Sequence, residues 1–143
     1  MQARTILIAL ILSAGAALAH QGVQNPAVKA RMDAMSAIAD NTKILGEMAK
    51  GARPFDATAA RAAAAAIADH AGQTPDLFAA PEQDPRSEAL PAIWTDFDDF
   101  TALSAALQVA AKKATGIATP ADLGPALAAI GGACKACHER YRE

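Results

Sequence analysis

Leu123-Gly124-Pro125-Ala126-Leu127-Ala128-Ala129-Ile130 leads through Gly131-Gly132-Ala133 into Cys134-Lys135-Ala136-Cys137-His138, and this stretch decides the fold. Leu123, Leu127, Ile130, Cys134, Cys137 and Tyr141 alternate spacings of four and three without a break, the seam of a helix packed in a bundle. The same seam carries C-x-x-C-H, the arrangement of covalent haem attachment. Two thiols there suit thioether bonds to the vinyl groups of one haem c, and the imidazole of His138 suits the iron from one face. Other uses of the pattern fit less well. A thioredoxin-like redox pair wants a strand before it, and the approach here is helical. A structural zinc site needs four N or S ligands, and neither His20 nor His70 brings a supporting pattern or any role we can derive. A disulfide inside one helical turn has poor geometry.

Working outward, three further segments have helical period. The first is predicted from about Pro26 to Lys50, with Asn25 as cap and Pro26 at the first position. Gly51 and then Pro54 end it, and its apolar stripe is Val28, Met35, Ile38, Leu45 and Met48. The second is predicted from about Asp56 to His70, capped by Asp56. Its run Ala62-Ala63-Ala64-Ala65-Ala66 has high helix propensity and little bulk, which suits close helix approach within the protein or between subunits. Residues 71–87 hold Pro75, Pro81 and Pro85 and form the longest predicted connection, with Leu77 and Phe78 tucked back onto the core. The third segment is predicted from about Pro91 to Thr115, turning Ile93, Trp94, Phe97, Phe100, Leu103, Leu107 and Ala110 inward, and Gly116 stops it. The last helix opens at Thr119, with Pro120 first and Asp122 completing a capping-box pattern.

No strand candidate or internal repeat competes with these four segments. They predict an all-α, antiparallel up-down-up-down four-helix bundle with haem bound between helices. In such a bundle the first and last helices run antiparallel. At ~1.5 Å rise per residue, Met35 lies roughly 14 Å into the first helix and His138 roughly 6 Å from the end of the last. Both fall in the same end half.

The N-terminus has the layout of a secretory signal peptide over residues 1–19: Arg4, an apolar run from Ile6 to Leu12, and a cleavage site at Ala17-Leu18-Ala19. The run before Gly15 is short for a bilayer, which needs about 20 apolar residues, and no later segment qualifies. Cleavage leaves residues 20–143 as one domain. Export together with haem attachment points to a bacterial periplasm. Without Arg4 the formal charge moves from −2 to −3, so there is no electrostatic case for nucleic acid. Both cysteines belong to the motif.

The chain resembles the class II cytochromes c, the group that includes cytochrome c′ and its low-spin, methionine-ligated relatives. The resemblance rests on Cys134-Lys135-Ala136-Cys137-His138-Glu139-Arg140-Tyr141-Arg142, on Ile93-Trp94 and on Leu77-Phe78. It also rests on Arg31-Met32-Asp33-Ala34-Met35 and Ile44-Leu45-Gly46-Glu47-Met48-Ala49-Lys50-Gly51, and it covers essentially the whole mature chain. The family usually continues its Leu-Phe with proline, where this chain has Ala79.

The resemblance implies the roles of single residues. Cys134 and Cys137 anchor the porphyrin and His138 is the proximal ligand. Met35 stands where the low-spin members place a second iron ligand. Arg31 resembles the residue that pairs with a haem propionate, and Arg142 the basic residue near the proximal histidine. The implied function is one-electron transfer with redox partner proteins, in a homodimer through the first two helices. The alternative is a five-coordinate cytochrome c′ that binds nitric oxide or carbon monoxide, with Met35 as core packing. An enzyme is not expected, because the face carrying Arg31, Met35, Ile38 and Thr42 is thin equipment for catalysis.

Overall fold

Asn25 starts the first helix: its side-chain carbonyl accepts the backbone N–H groups of Ala27 and Val28 at 2.9 and 3.2 Å, and Pro26 follows. This helix, α1, runs Pro26–Ala49, and Gly51 leaves it with φ +70°, a left-handed conformation that glycine adopts without steric cost. The computed structural model describes residues 22–143; the expected signal peptide, its cleavage site and His20 lie outside the described residues. Asp56 caps α2, Ala57–Leu77, by accepting from Thr58 and Ala59 at 2.8 and 3.0 Å. A short α3, Ala92–Thr95, precedes α4, Phe97–Ala114. A 3-10 turn, Pro120–Asp122, carries the expected capping box between Thr119 and Asp122 and opens into α5, Leu123–Tyr141.

The long helices pack α1 on α2, α2 on α4, α4 on α5, and α5 back on α1. This is the expected antiparallel four-helix bundle. Its larger core cluster joins Leu45, Met48, Ala60, Ala63, Ala64, Ile67, Ala111, Ala114, Ile117, Leu123 and Ile130. A smaller cluster of Phe78, Ile93, Phe100 and Tyr141 sits at the other end.

Two expectations about helix boundaries are corrected. α2 does not stop near His70 but continues seven residues to Leu77, through Gly72 and Pro75. Proline at 75 removes the N–H that would bond the Ala71 carbonyl. The buried Ser104 hydroxyl on α4 donates to that carbonyl at 2.7 Å instead, so the helix passes the proline without an orphaned acceptor. The third helix is not continuous either. It breaks at Asp96, whose φ of −135° and ψ of 50° lie outside the helical region. The Asp96 carboxylate accepts from Arg140 at 3.2 Å and shares, at 3.3 Å, the Tyr141 hydroxyl proton that goes chiefly to Asp99, so two residues of α5 hold the break. Of the residues expected to face inward from this segment, Ile93 and Phe100 are buried and the others half-buried. Ser104, Ala111 and Ala114 complete the inner face.

Candidate functional site

Between the two core clusters lies a cavity of about 690 Å³, within the ~300–1,000 Å³ typical of cofactor and ligand pockets. α1 contributes Arg31, Met35, Ile38 and Thr42; the end of α2 contributes Thr74 and Phe78; α4 contributes Phe100, Leu103 and Leu107. Cys134, Cys137, His138 and Tyr141 line it from α5. The cysteines and histidine share this wall because residues three and four apart on a helix are neighbours on one face. Met35 comes from the antiparallel α1 and packs partly buried against both core clusters. The structure thus gathers Met35, Cys134, Cys137 and His138 at one cavity, in the end of the bundle where the helical rise put them.

Burial shifts the donors around the cavity toward their neutral forms. Burial, followed by the neighbouring Cys134 and Asp99, pushes the Cys137 thiol up to about 11, and burial raises Cys134 as well. Desolvation, followed by the Arg142 cation, lowers the pKa of His138, with Glu88 opposing. That favours the neutral imidazole, the form that binds metal. The donor set and the largely apolar walls fit a haem c attached through Cys134 and Cys137.

Other residues near the cavity form two pairings that the sequence did not announce. The last residues of the chain clip onto the segment before α3: Leu90 N–H donates to Tyr141 O at 3.0 Å, and Glu143 N–H donates to Glu88 O at 3.0 Å. Arg142 extends the clip by donating to the Glu88 carboxylate at 2.6 Å. Beneath it, the buried Tyr141 hydroxyl donates to Asp99 at 2.7 Å, and Arg140 pairs with the same carboxylate at 2.7 Å. Burial, reinforced by the hydrogen bond to Asp99, raises the Tyr141 pKa well above the usual phenol range. Asp99 and Glu88 carry no local signal of these roles, because their partners lie 42 and 54 residues away.

Arg31 is only 3% exposed. Its guanidinium donates to three backbone carbonyls of the turn after α2 and lies over the rings of Phe78 and Trp94. Arginine has five N–H donors, so two remain. Met32 and Thr42 also border the cavity. His70 stands on α2, half-buried, away from this lining.

Comparison with known proteins agrees with this arrangement. The sequence profile of the family described as Cytochrome C′ matches residues 26–142. A cytochrome c-556 of Agrobacterium tumefaciens (strain apple 185) is 40% identical over 116 residues, covering 79% of this chain and 91% of the relative. A cytochrome c′ of Pararhodospirillum photometricum is 38% identical over 122 residues, covering 81% and 95%. Among solved structures, cytochrome c′ from Rhodopseudomonas palustris superposes with a TM-score of 0.77 at 34% identity, covering 84% of this chain and 98% of that one. With the bundle, the C-x-x-C-H wall and a family match across nearly every described residue, the chain belongs to the cytochrome c′ family of haem proteins.

Proposed function

We propose that this chain is a periplasmic one-electron carrier whose single haem is held low-spin by His138 on one face and Met35 on the other. The observation that carries the reading is the approach of two potential iron ligands to one cavity from antiparallel helices: His138 on α5 and Met35 on α1. Haem iron supplies a one-electron couple, and histidine–methionine ligation raises its potential. His138 binds through a neutral imidazole. Met35 closes the opposite face to exogenous ligands and keeps the ligand set nearly constant between oxidation states. Arg31 keeps two N–H donors for a propionate. Arg142, already paired with Glu88, adds positive charge near His138. Export through the signal peptide and a homodimer through α1 and α2 belong to the same reading. No helix among the described residues is long and apolar enough to cross a membrane. The alanines at 60, 63 and 64 are buried in the chain's own core, so a shared surface would use outward positions of the same run, such as the exposed Ala62.

A second reading has an observation of its own. Met35 packs against both core clusters, so its thioether is also at home as filler, and the cytochrome c′ relative is nearly as similar as the c-556. On that reading the iron is five-coordinate and binds nitric oxide or carbon monoxide. The optical spectrum of the holoprotein, oxidised and reduced, with and without carbon monoxide, separates the two. The expected result is a low-spin spectrum unchanged by carbon monoxide and converted to high-spin by Met35→Ala. A wild-type spectrum that is high-spin and shifts with carbon monoxide selects the gas-binding alternative.

A further inference from the structure

At the end of α2 the carbonyls of Thr74, Pro75 and Asp76 accept from the backbone N–H groups of Phe78 and Ala79, while Leu77 O and three carbonyls of the turn beyond are met by side chains from two other elements. Arg31 on α1 donates from Nε to Leu77 O at 2.9 Å, from Nη2 to Ala80 O at 2.5 Å and from Nη1 to Glu82 O at 2.8 Å. Trp94 on α3 donates from Nε1 to Phe78 O at 2.8 Å. Two side chains therefore bind four carbonyls of one short turn. The guanidinium carbon also lies 4.7 Å from the centroid of the Phe78 ring and 5.4 Å from that of Trp94, so the same cation bonds the turn and stacks against its aromatic anchor. A positive charge at a helix C-terminus is favourable in addition.

We propose that Arg31 is a positioning residue: with Trp94 it forms a cap, built from other elements, that holds the turn leaving α2 and sets Phe78 as a wall of the haem cavity. Phe78 lines the cavity and meets Phe100 at a ring separation of 5.0 Å. Arg31 precedes Met35 by one turn of α1, so the cap also registers α1 against the turn. This role is separate from pairing with a propionate, which needs only a cation. A lysine would keep the charge, but its single ammonium reproduces neither the planar fork nor the stacking. The inference rests on the family's haem site and not on ligation by Met35.

The test is hydrogen exchange on the holoprotein, comparing wild type with Arg31→Lys and Trp94→Phe. A hydrogen bond to a charged group contributes about 1.5–3 kcal/mol, and ~1.4 kcal/mol is tenfold in an equilibrium. Arg31→Lys is therefore expected to speed exchange of the Phe78, Ala79 and Glu82 amides, which are hydrogen-bonded in this turn, by roughly tenfold or more. Trp94→Phe should speed the same amides by less, and residues 60–68 of α2 should keep wild-type rates in both. Wild-type exchange at Phe78, Ala79 and Glu82 in Arg31→Lys would overturn the proposal, leaving Arg31 as a charge alone. If Arg31→Lys yields no holoprotein, Trp94→Phe decides, because unchanged exchange in that variant removes the cap. The visible spectrum is recorded separately, so a failure of the Met35 reading is distinguishable from a failure of this one.

Discussion

At one end of the bundle Ala60, Ala63, Ala64, Ala111 and Ala114 interlock with Leu45, Ile67, Leu123 and Ile130. At the other, Phe78, Ile93, Phe100 and Tyr141 border a cavity of about 690 Å³. Small side chains in the first region let helices approach until the chain's own atoms fill the space. Aromatic side chains in the second hold the helices apart and reserve volume for a group the chain attaches to itself. The aromatic end therefore presents apolar walls that a bound cofactor would cover, while the alanine end is closed by its own packing.

The largest expected effect comes from removing the attachment itself. Cys134→Ser combined with Cys137→Ser should abolish covalent haem and strip near-ultraviolet dichroism and exchange protection from the region of Phe78, Phe100 and Tyr141. Residues around Ile67 and Ile130 should stay protected. Loss of protection at both ends together would mean that they fold as one unit, and the contrast would fail.

The converse experiment is Ile67→Ala at the alanine end. Ile67 is fully buried in the larger cluster, and truncation of such a side chain costs about 2–5 kcal/mol. Denaturant titration should show that loss while the visible spectrum stays that of wild type. A changed spectrum would show that packing at the closed end reaches the haem.

A smaller effect sharpens the comparison through pH. The Tyr141 pKa is raised in the folded chain, so its contribution is complete below the ordinary phenol value of about 10. That contribution is lost as pH rises toward the folded value, because the unfolded state ionises first. Melting temperatures measured between neutral pH and about pH 11 should therefore fall more steeply in wild type than in Tyr141→Phe. Parallel curves would detach Tyr141 from the alkaline loss.

The haem-bearing wall was legible because C-x-x-C-H and the three–four spacing are local, and both survive intact on α5. Arg31 was legible only as a charge sharing a face with Met35. Its acceptors stand 46 to 51 residues along the chain, and no periodicity points to them. Pro75 misled for a related reason. Local rules end a helix there, and the hydroxyl that allows it to continue belongs to Ser104, 33 residues beyond the carbonyl it serves. The break at Asp96 is likewise held from α5, by Arg140 and Tyr141.

Features that depend on neighbours within a turn or two were therefore settled along the chain. These are the caps at Asn25, Asp56 and Thr119, the amphipathic stripes, and the placing of two thiols and an imidazole on one helical face. Where α2 ends, where the third segment breaks, and which carbonyls Arg31 holds were decided only once the helices had packed. Each is a hydrogen bond whose donor and acceptor meet across elements, and a buried carbonyl takes whichever donor the packing brings to it.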